Sequence, residues 1–200
     1  MPIRIFAAVA MLALPAAAAG PPLPELRTEP TTGGSVFFIR NMSSQPLTGY
    51  LIELVDYPGS AYSLWQDEVT LEPIPPGVEK RLPVTNMTVG AVPDYVKMQA
   101  ALYADGTSSG DPRKVARFIE RRRSVLETTR ELIRRIENGQ SAGELRQWAE
   151  SLQPAGKSKG TVNQNAARSL ISETAGHFDD GTLNRLRAAE RALAASEPAL

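Results

Sequence analysis

The sequence predicts an α+β chain with its strands and helices segregated, a small antiparallel β-sandwich over residues 33–110 followed by a helical C-terminal region. Three observations carry this. Short apolar runs of period two, separated by turn residues, fill the first half. At Asp111-Pro112 the apolar spacing switches to the helical period. The charge changes sign at the same place: residues 20–111 hold 5 Lys and Arg against 11 Asp and Glu, a net of −6, whereas residues 112–200 hold 16 against 11, a net of +5.

Residues 1–19 read as a secretory signal peptide. Arg4 supplies the basic start, Ile5 to Leu14 is an apolar stretch too short to span a bilayer, and Ala17-Ala18-Ala19 offers a small-residue cleavage site before Gly20. The expected product is exported, to the periplasm or beyond. The short signal and the Ala- and Arg-rich composition point to a bacterium. No later stretch reaches the ~18 apolar residues of a membrane span, so no integral span is expected. The chain has no cysteine. That excludes disulfides, thiolate metal sites and a cysteine nucleophile.

Residues 20–32, from Gly20-Pro21-Pro22 to Pro30-Thr31-Thr32, are proline-rich and aperiodic and read as a linker. Five strand-like runs follow: Val36 to Ile39, Tyr50 to Val55, Tyr62 to Leu71, Val78 to Val84 and Tyr95 to Tyr103. In the last, Val96, Met98, Ala100 and Leu102 share one predicted face. Turn signals at Ser43-Ser44-Gln45-Pro46, Pro58-Gly59, Pro75-Pro76-Gly77 and Asp105-Gly106 separate the runs. Pro83 marks its strand as an edge.

The stretch Asn41-Met42-Ser43-Ser44-Gln45-Pro46-Leu47-Thr48, followed by Ile74-Pro75-Pro76-Gly77, resembles the immunoglobulin-like domains of exported bacterial proteins. There a strand ends in an Asn-containing polar turn and a later strand opens after a Pro-Gly turn. The resemblance covers residues 33–105. It implies a binding or spacer module and transfers no active site. The chain departs from antibody domains in lacking a cysteine pair and in showing five clear runs where seven strands are usual.

From residue 111 to 153 the pattern is a long basic helix and a second helix joined as an αα-hairpin. Asp111 is placed to cap and Pro112 suits the first helical position. Val115, Phe118, Ile119, Val125, Leu126, Leu132, Ile133 and Ile136 form one stripe, interrupted by Arg122 and Thr129. A helix this long outreaches a small sandwich, so its far half needs another partner. Gly139 stops it, and Ser141-Ala142-Gly143-Glu144 is a capping box that starts the next helix, with Leu145, Trp148 and Leu152. Residues 154–161 are a flexible linker. Two short Ala-rich helices occupy 162–197.

Catalytic and metal motifs are sparse. Asp105 to Asp111 alternates oxygen side chains like the start of a calcium loop, but Ala116 stands where the bidentate Glu is needed, and a polar turn ending in the helix cap is the simpler reading. His177-Phe178-Asp179-Asp180 holds the sole histidine and lacks a second one to complete a zinc site; a helix connector capped by Asp179 or Asp180 accounts for it. Glu53, Asp56, Asp67 and Glu68 contain carboxylates of the kind a glycosidase pairs, though solvated acidic residues are the commoner case. No cofactor and no metal site is implied.

The distinctive surface is the basic helix. Between Arg113 and Arg135 lie nine basic residues, Arg113, Lys114, Arg117, Arg121, Arg122, Arg123, Arg130, Arg134 and Arg135, against three acidic ones. They suit a protein partner or an anionic polymer or membrane surface. The alternative is a solvated face with Glu120–Arg123, Glu127–Arg130 and Glu131–Arg135 pairs. Arg113, Lys114 and Arg117 sit at the positive end of the helix dipole, where cations are disfavoured. Docking against the chain's own acidic half would explain why they are tolerated. The leading expectation is an exported, non-catalytic interaction or assembly module. Its alternatives are an anion-surface binder acting through residues 113–135 and, last, a hydrolase.

Overall fold

The computed structural model describes residues 20–57, 60–85, 95–152, 162–173 and 179–196. The expected signal peptide, the 154–161 linker and His177 lie outside the described residues. Among the described residues seven strands precede four helices: β1 (Glu25–Thr31), β2 (Gly34–Arg40), β3 (Leu47–Tyr57), β4 (Ser60–Asp67), β5 (Glu79–Thr85), β6 (Tyr95–Tyr103), β7 (Ser108–Gly110), α1 (Pro112–Glu137), α2 (Ala142–Ser151), α3 (Val162–Glu173) and α4 (Asp180–Ala195). The strands form two antiparallel sheets, of order β1-β2-β5 and β4-β3-β6-β7. The chain is thus mixed α+β.

Two strands lie where none was expected. The 20–32 segment is not a plain linker: Glu25–Thr31 is strand β1, paired with β2 from Glu25↔Arg40 to Thr31↔Gly34. Its prolines obscured the pattern, but β1 is an outer strand, where Pro30 is tolerated. Thr32-Gly33 closes the hairpin, and Gly33 takes the positive φ of 89° that the turn requires. The polar loop after Asp105 also contains β7. There Gly110 is obligatory, since its φ is 108° and a Cβ would lie 2.2 Å from the Gln99 carbonyl oxygen.

Phe37 and Ile39 of β2, Tyr50, Ile52 and Leu54 of β3, and Met98 and Tyr103 of β6 meet in one buried cluster to which both sheets contribute. The single apolar face expected for β6 is split in two. The register between β3 and β6 shifts as Leu51↔Ala100 gives way to Ile52↔Met98, leaving Gln99 as an extra residue. Such a bulge reverses the alternation beyond it. Met98 therefore joins the inter-sheet cluster, while Leu102 turns outward to meet Phe118 and Ile119 of α1.

Helix α1 begins as expected. The Asp111 carboxylate accepts from the backbone N–H of Arg113 (2.8 Å) and of Lys114 (3.1 Å), with Pro112 in the first turn. Its first half packs on the second sheet through Phe118 and Ile119. Its second half, with Leu132 and Ile136, joins Leu145 and Ala149 of α2, Ala167 and Ile171 of α3 and Leu186 of α4. The capping box at Ser141 and Glu144 is present in both directions. Arg135 lies over the Trp148 ring at the α1–α2 junction (4.8 Å), and α1 and α2 meet in the same buried cluster. No helix among the described residues is long and apolar enough to cross a membrane.

Candidate functional site

The basic helix meets the acidic β region along its first half, and the contact is built around Arg122. At the sequence level Arg122 interrupts the apolar stripe. In the fold it stays in the stripe and is buried, 3% exposed. It lies four residues from both Phe118 and Leu126, so its guanidinium is carried onto the outer face of β3 and β4. There its Nε donates to Asp67 Oδ2 (2.9 Å) and its Nη2 to Asp67 Oδ1 (2.8 Å), a forked pairing that a lysine cannot make. Nη2 also donates to the Thr48 carbonyl (3.2 Å), and Nη1 to the Ser196 carbonyl at the end of α4 (3.4 Å). One side chain thus joins β3, β4, α1 and α4.

Close approach of the helix depends on Gly49 of β3. A Cβ there would stand 2.7 Å from Phe118 Cζ and 2.9 Å from Arg122 Nη2. A glycine inside a strand marks such an approach. Trp65 of β4 completes the contact, edge-on to Phe118 with ring centroids 5.4 Å apart.

Alternation along β4 separates two neighbouring carboxylates. Asp67 faces the helix, whereas Glu68 is fully buried on the other side, bound by Lys80 Nζ of β5 and by the Tyr50 hydroxyl (3.3 Å). Burial, reinforced by the Glu68 carboxylate, pushes the Tyr50 phenol well above its ordinary range. Glu53 of β3 pairs with Lys114 of α1. Three of the four carboxylates considered for a glycosidase pair are therefore each held by a cation; the Asp56 side chain lies outside the described residues. The Asp105 carboxylate is taken by Thr107, accepting from its N–H (3.0 Å) and its hydroxyl (2.6 Å), and these bonds hold its pKa below the usual value. Asp111 is the helix cap. The two carboxylates of the calcium-like run are thus both engaged locally. Asp179 caps α4, accepting from Thr182 N–H at 2.7 Å.

The nine candidate cations divide. Lys114 and Arg122 bind the β region. Arg130 reaches Glu190 of α4 (2.8 Å), where Glu127 was the expected partner. Arg134 and Arg135 share Glu131, at 2.6 and 2.7 Å. Arg121 lies 6.0 Å over the Trp65 ring, and Arg123 is half-buried. Arg113 and Arg117 are exposed. Among the described residues, Lys114 alone of the three cations at the helix start makes the expected docking on the acidic half. No family model, no characterised protein and no solved structure matches this chain. The site therefore rests on its own geometry. Sequence reasoning passed over Thr48, Gly49 and Lys80. The available signals were a charged residue at i+4 from Phe118 and a glycine within an apolar strand.

Proposed function

We propose that the protein is an exported, non-catalytic interaction or assembly module, in which an immunoglobulin-like sandwich is fixed to a helical bundle and presents a surface to a protein partner. The carrying observation is where the basic charge goes. At least five of the nine cations, Lys114, Arg122, Arg130, Arg134 and Arg135, are bound by carboxylates of the same chain. A surface built to collect external anions keeps its cations available. Here Lys114 and Arg122 hold the helix to the β region, Arg130 ties α1 to α4, and Arg134 and Arg135 are paired within α1.

Support for the immunoglobulin-like reading comes from the strand count and from Asn41. The two extra strands bring the total to seven, in sheets of three and four. The two turns that carried the resemblance meet in space: buried Asn41 donates from Nδ2 to the Gln45 carbonyl (2.7 Å) and the Ile74 carbonyl (2.9 Å), and its Oδ1 accepts from Ser43 N–H (2.9 Å).

A second reading draws on Arg113 and Arg117. Both are exposed, the first turn of α1 contains no acidic residue, and an anionic polymer or lipid surface would suit them. One experiment separates the two. Mature protein beginning at Gly20 is tested for saturable capture of a discrete envelope protein and for heparin binding at low and high salt. The proposal expects the capture and little heparin binding. Salt-sensitive heparin binding that disappears in Arg113→Gln/Arg117→Gln would replace it with the anion-surface reading. Export is checked by intact mass after expression of the full chain in a bacterial host: a product starting near Gly20 supports it, and retention of Met1 overturns it.

A further inference from the structure

The helices do not close completely on one another. Between α1, α3, α4 and the loop that follows β4 lies an open cavity of about 850 Å³. That is within the ~300–1,000 Å³ of small-molecule sites. Val125 of α1, Leu170 of α3, and Leu186 and Ala189 of α4 supply an apolar wall, beside the polar Thr129, Asn165 and Ser169. Leu71 stands at the rim, 73% exposed and the most exposed of the large apolar side chains described.

Among the described residues the charge of the cavity is of one sign: its lining includes Arg121 and Arg185 and no Asp or Glu. Arg185 donates only to the neighbouring Thr182 hydroxyl (3.0 Å), and Arg121 only faces the Trp65 ring. Neither has a carboxylate partner among the described residues, in contrast to Arg130 and Arg187, which are paired with Glu190 and Glu137 on the same helices. An apolar trough with two cations and no anion is complementary to a molecule with a hydrocarbon body and a negative head.

We propose that this cavity binds a single-chain amphiphile with an anionic head group, of the long-chain carboxylate class, its chain along Val125, Leu170 and Leu186 and its carboxylate at Arg121 and Arg185. Binding of such a molecule does not depend on the interaction-module reading.

Dodecanoate, dodecanol and dodecyltrimethylammonium share one chain and differ in head charge. Each is titrated below its micelle concentration against the whole mature protein, by displacement of an environment-sensitive fluorescent fatty acid. The expected order is dodecanoate tightest and the cation weakest. Arg121→Gln and Arg185→Gln should each weaken dodecanoate about fivefold and leave dodecanol unchanged. Ala189→Trp, which fills the trough, should abolish all binding; Ala188→Trp, at an exposed lining position, serves if the first variant does not fold. Absence of dodecanoate binding, equal affinity for the three head groups, or binding that survives a folded tryptophan variant would each overturn the proposal, as would an amphipathic peptide competing where dodecanoate does not.

Discussion

Three aromatic rings, of Phe37, Tyr50 and Tyr103, lie in the buried cluster of the β region, whereas the helical cluster buries aliphatic chains and two alanines, with Trp148 only partly covered. The β region also closes its backbone through ladders between strands distant in sequence. The helices rely instead on side chains, including the exposed pairs Arg130–Glu190, Arg168–Glu150 and Arg187–Glu137. Such pairs contribute ~0–1 kcal/mol each. The comparison leads to an expectation of unequal self-sufficiency: each region has its own buried cluster, but the helical one is aliphatic and is tied to the β region through the first half of α1.

The largest effect expected is on the core of the β region. Phe37 is fully buried, and Phe37→Ala should lower stability by about 3–5 kcal/mol. In urea unfolding, strand and helix signals should fall together, because the helices lose their support. A helical signal that persists after the strands have melted would break the comparison.

Arg122→Met should come next. It leaves Asp67 without its cation and removes one of the two donors to the Thr48 carbonyl, which keeps the Glu68 N–H, a loss of about 3 kcal/mol. Amide exchange should rise in α3 and α4 and stay slow in β2 and β6. Equal acceleration in both regions would show that they form one cooperative unit.

The cations at the start of α1 sharpen the contrast further. Lys114→Gln should cost no more than about 1 kcal/mol, and less as salt is added. Arg113→Gln and Arg117→Gln should leave stability unchanged or slightly improved, since exposed positive charge at this helix end is unfavourable. Thermal unfolding at two salt concentrations checks all three.

The smallest effect concerns acid. Arg134, by hydrogen bonding to it, holds the Glu131 carboxyl below its ordinary 4.5. A carboxyl lowered in the folded state contributes stability above its unfolded value and loses it as pH falls through the folded one. Thermal midpoints should thus be level above pH 4.5 and decline below it. Glu131→Gln should remove a shift on the order of 1 °C from that decline. Its side chain is 32% exposed, which keeps the effect small.

Much of this was legible in the sequence. The switch of period at Asp111, the cap, the Gly139 stop and the capping box at Ser141 are local chemistry, and local chemistry can be read residue by residue. Strand β1 was hidden because Pro24 and Pro30 disrupt its pattern without preventing an edge pairing. The bulge at Gln99 escaped because it depends on the partner strand. Arg122 was visible as an anomaly, but its meaning was not: whether a charge within an apolar stripe is an interruption or a clamp depends on what the opposite surface holds, and Asp67 lies 55 positions away in the chain.

That separation bears on how the molecule assembles. Arg122 ties together residues 55, 74 and again 74 positions removed, at Asp67, Thr48 and Ser196. A chain without cysteine has no covalent staple to close loops of such length. The guanidinium fork serves as a reversible one, and it engages only after strands and helices are each in place. Loss of Arg122 should therefore speed unfolding while leaving the folding rate nearly unchanged. The clamp would set the lifetime of the native molecule more than the ease of reaching it.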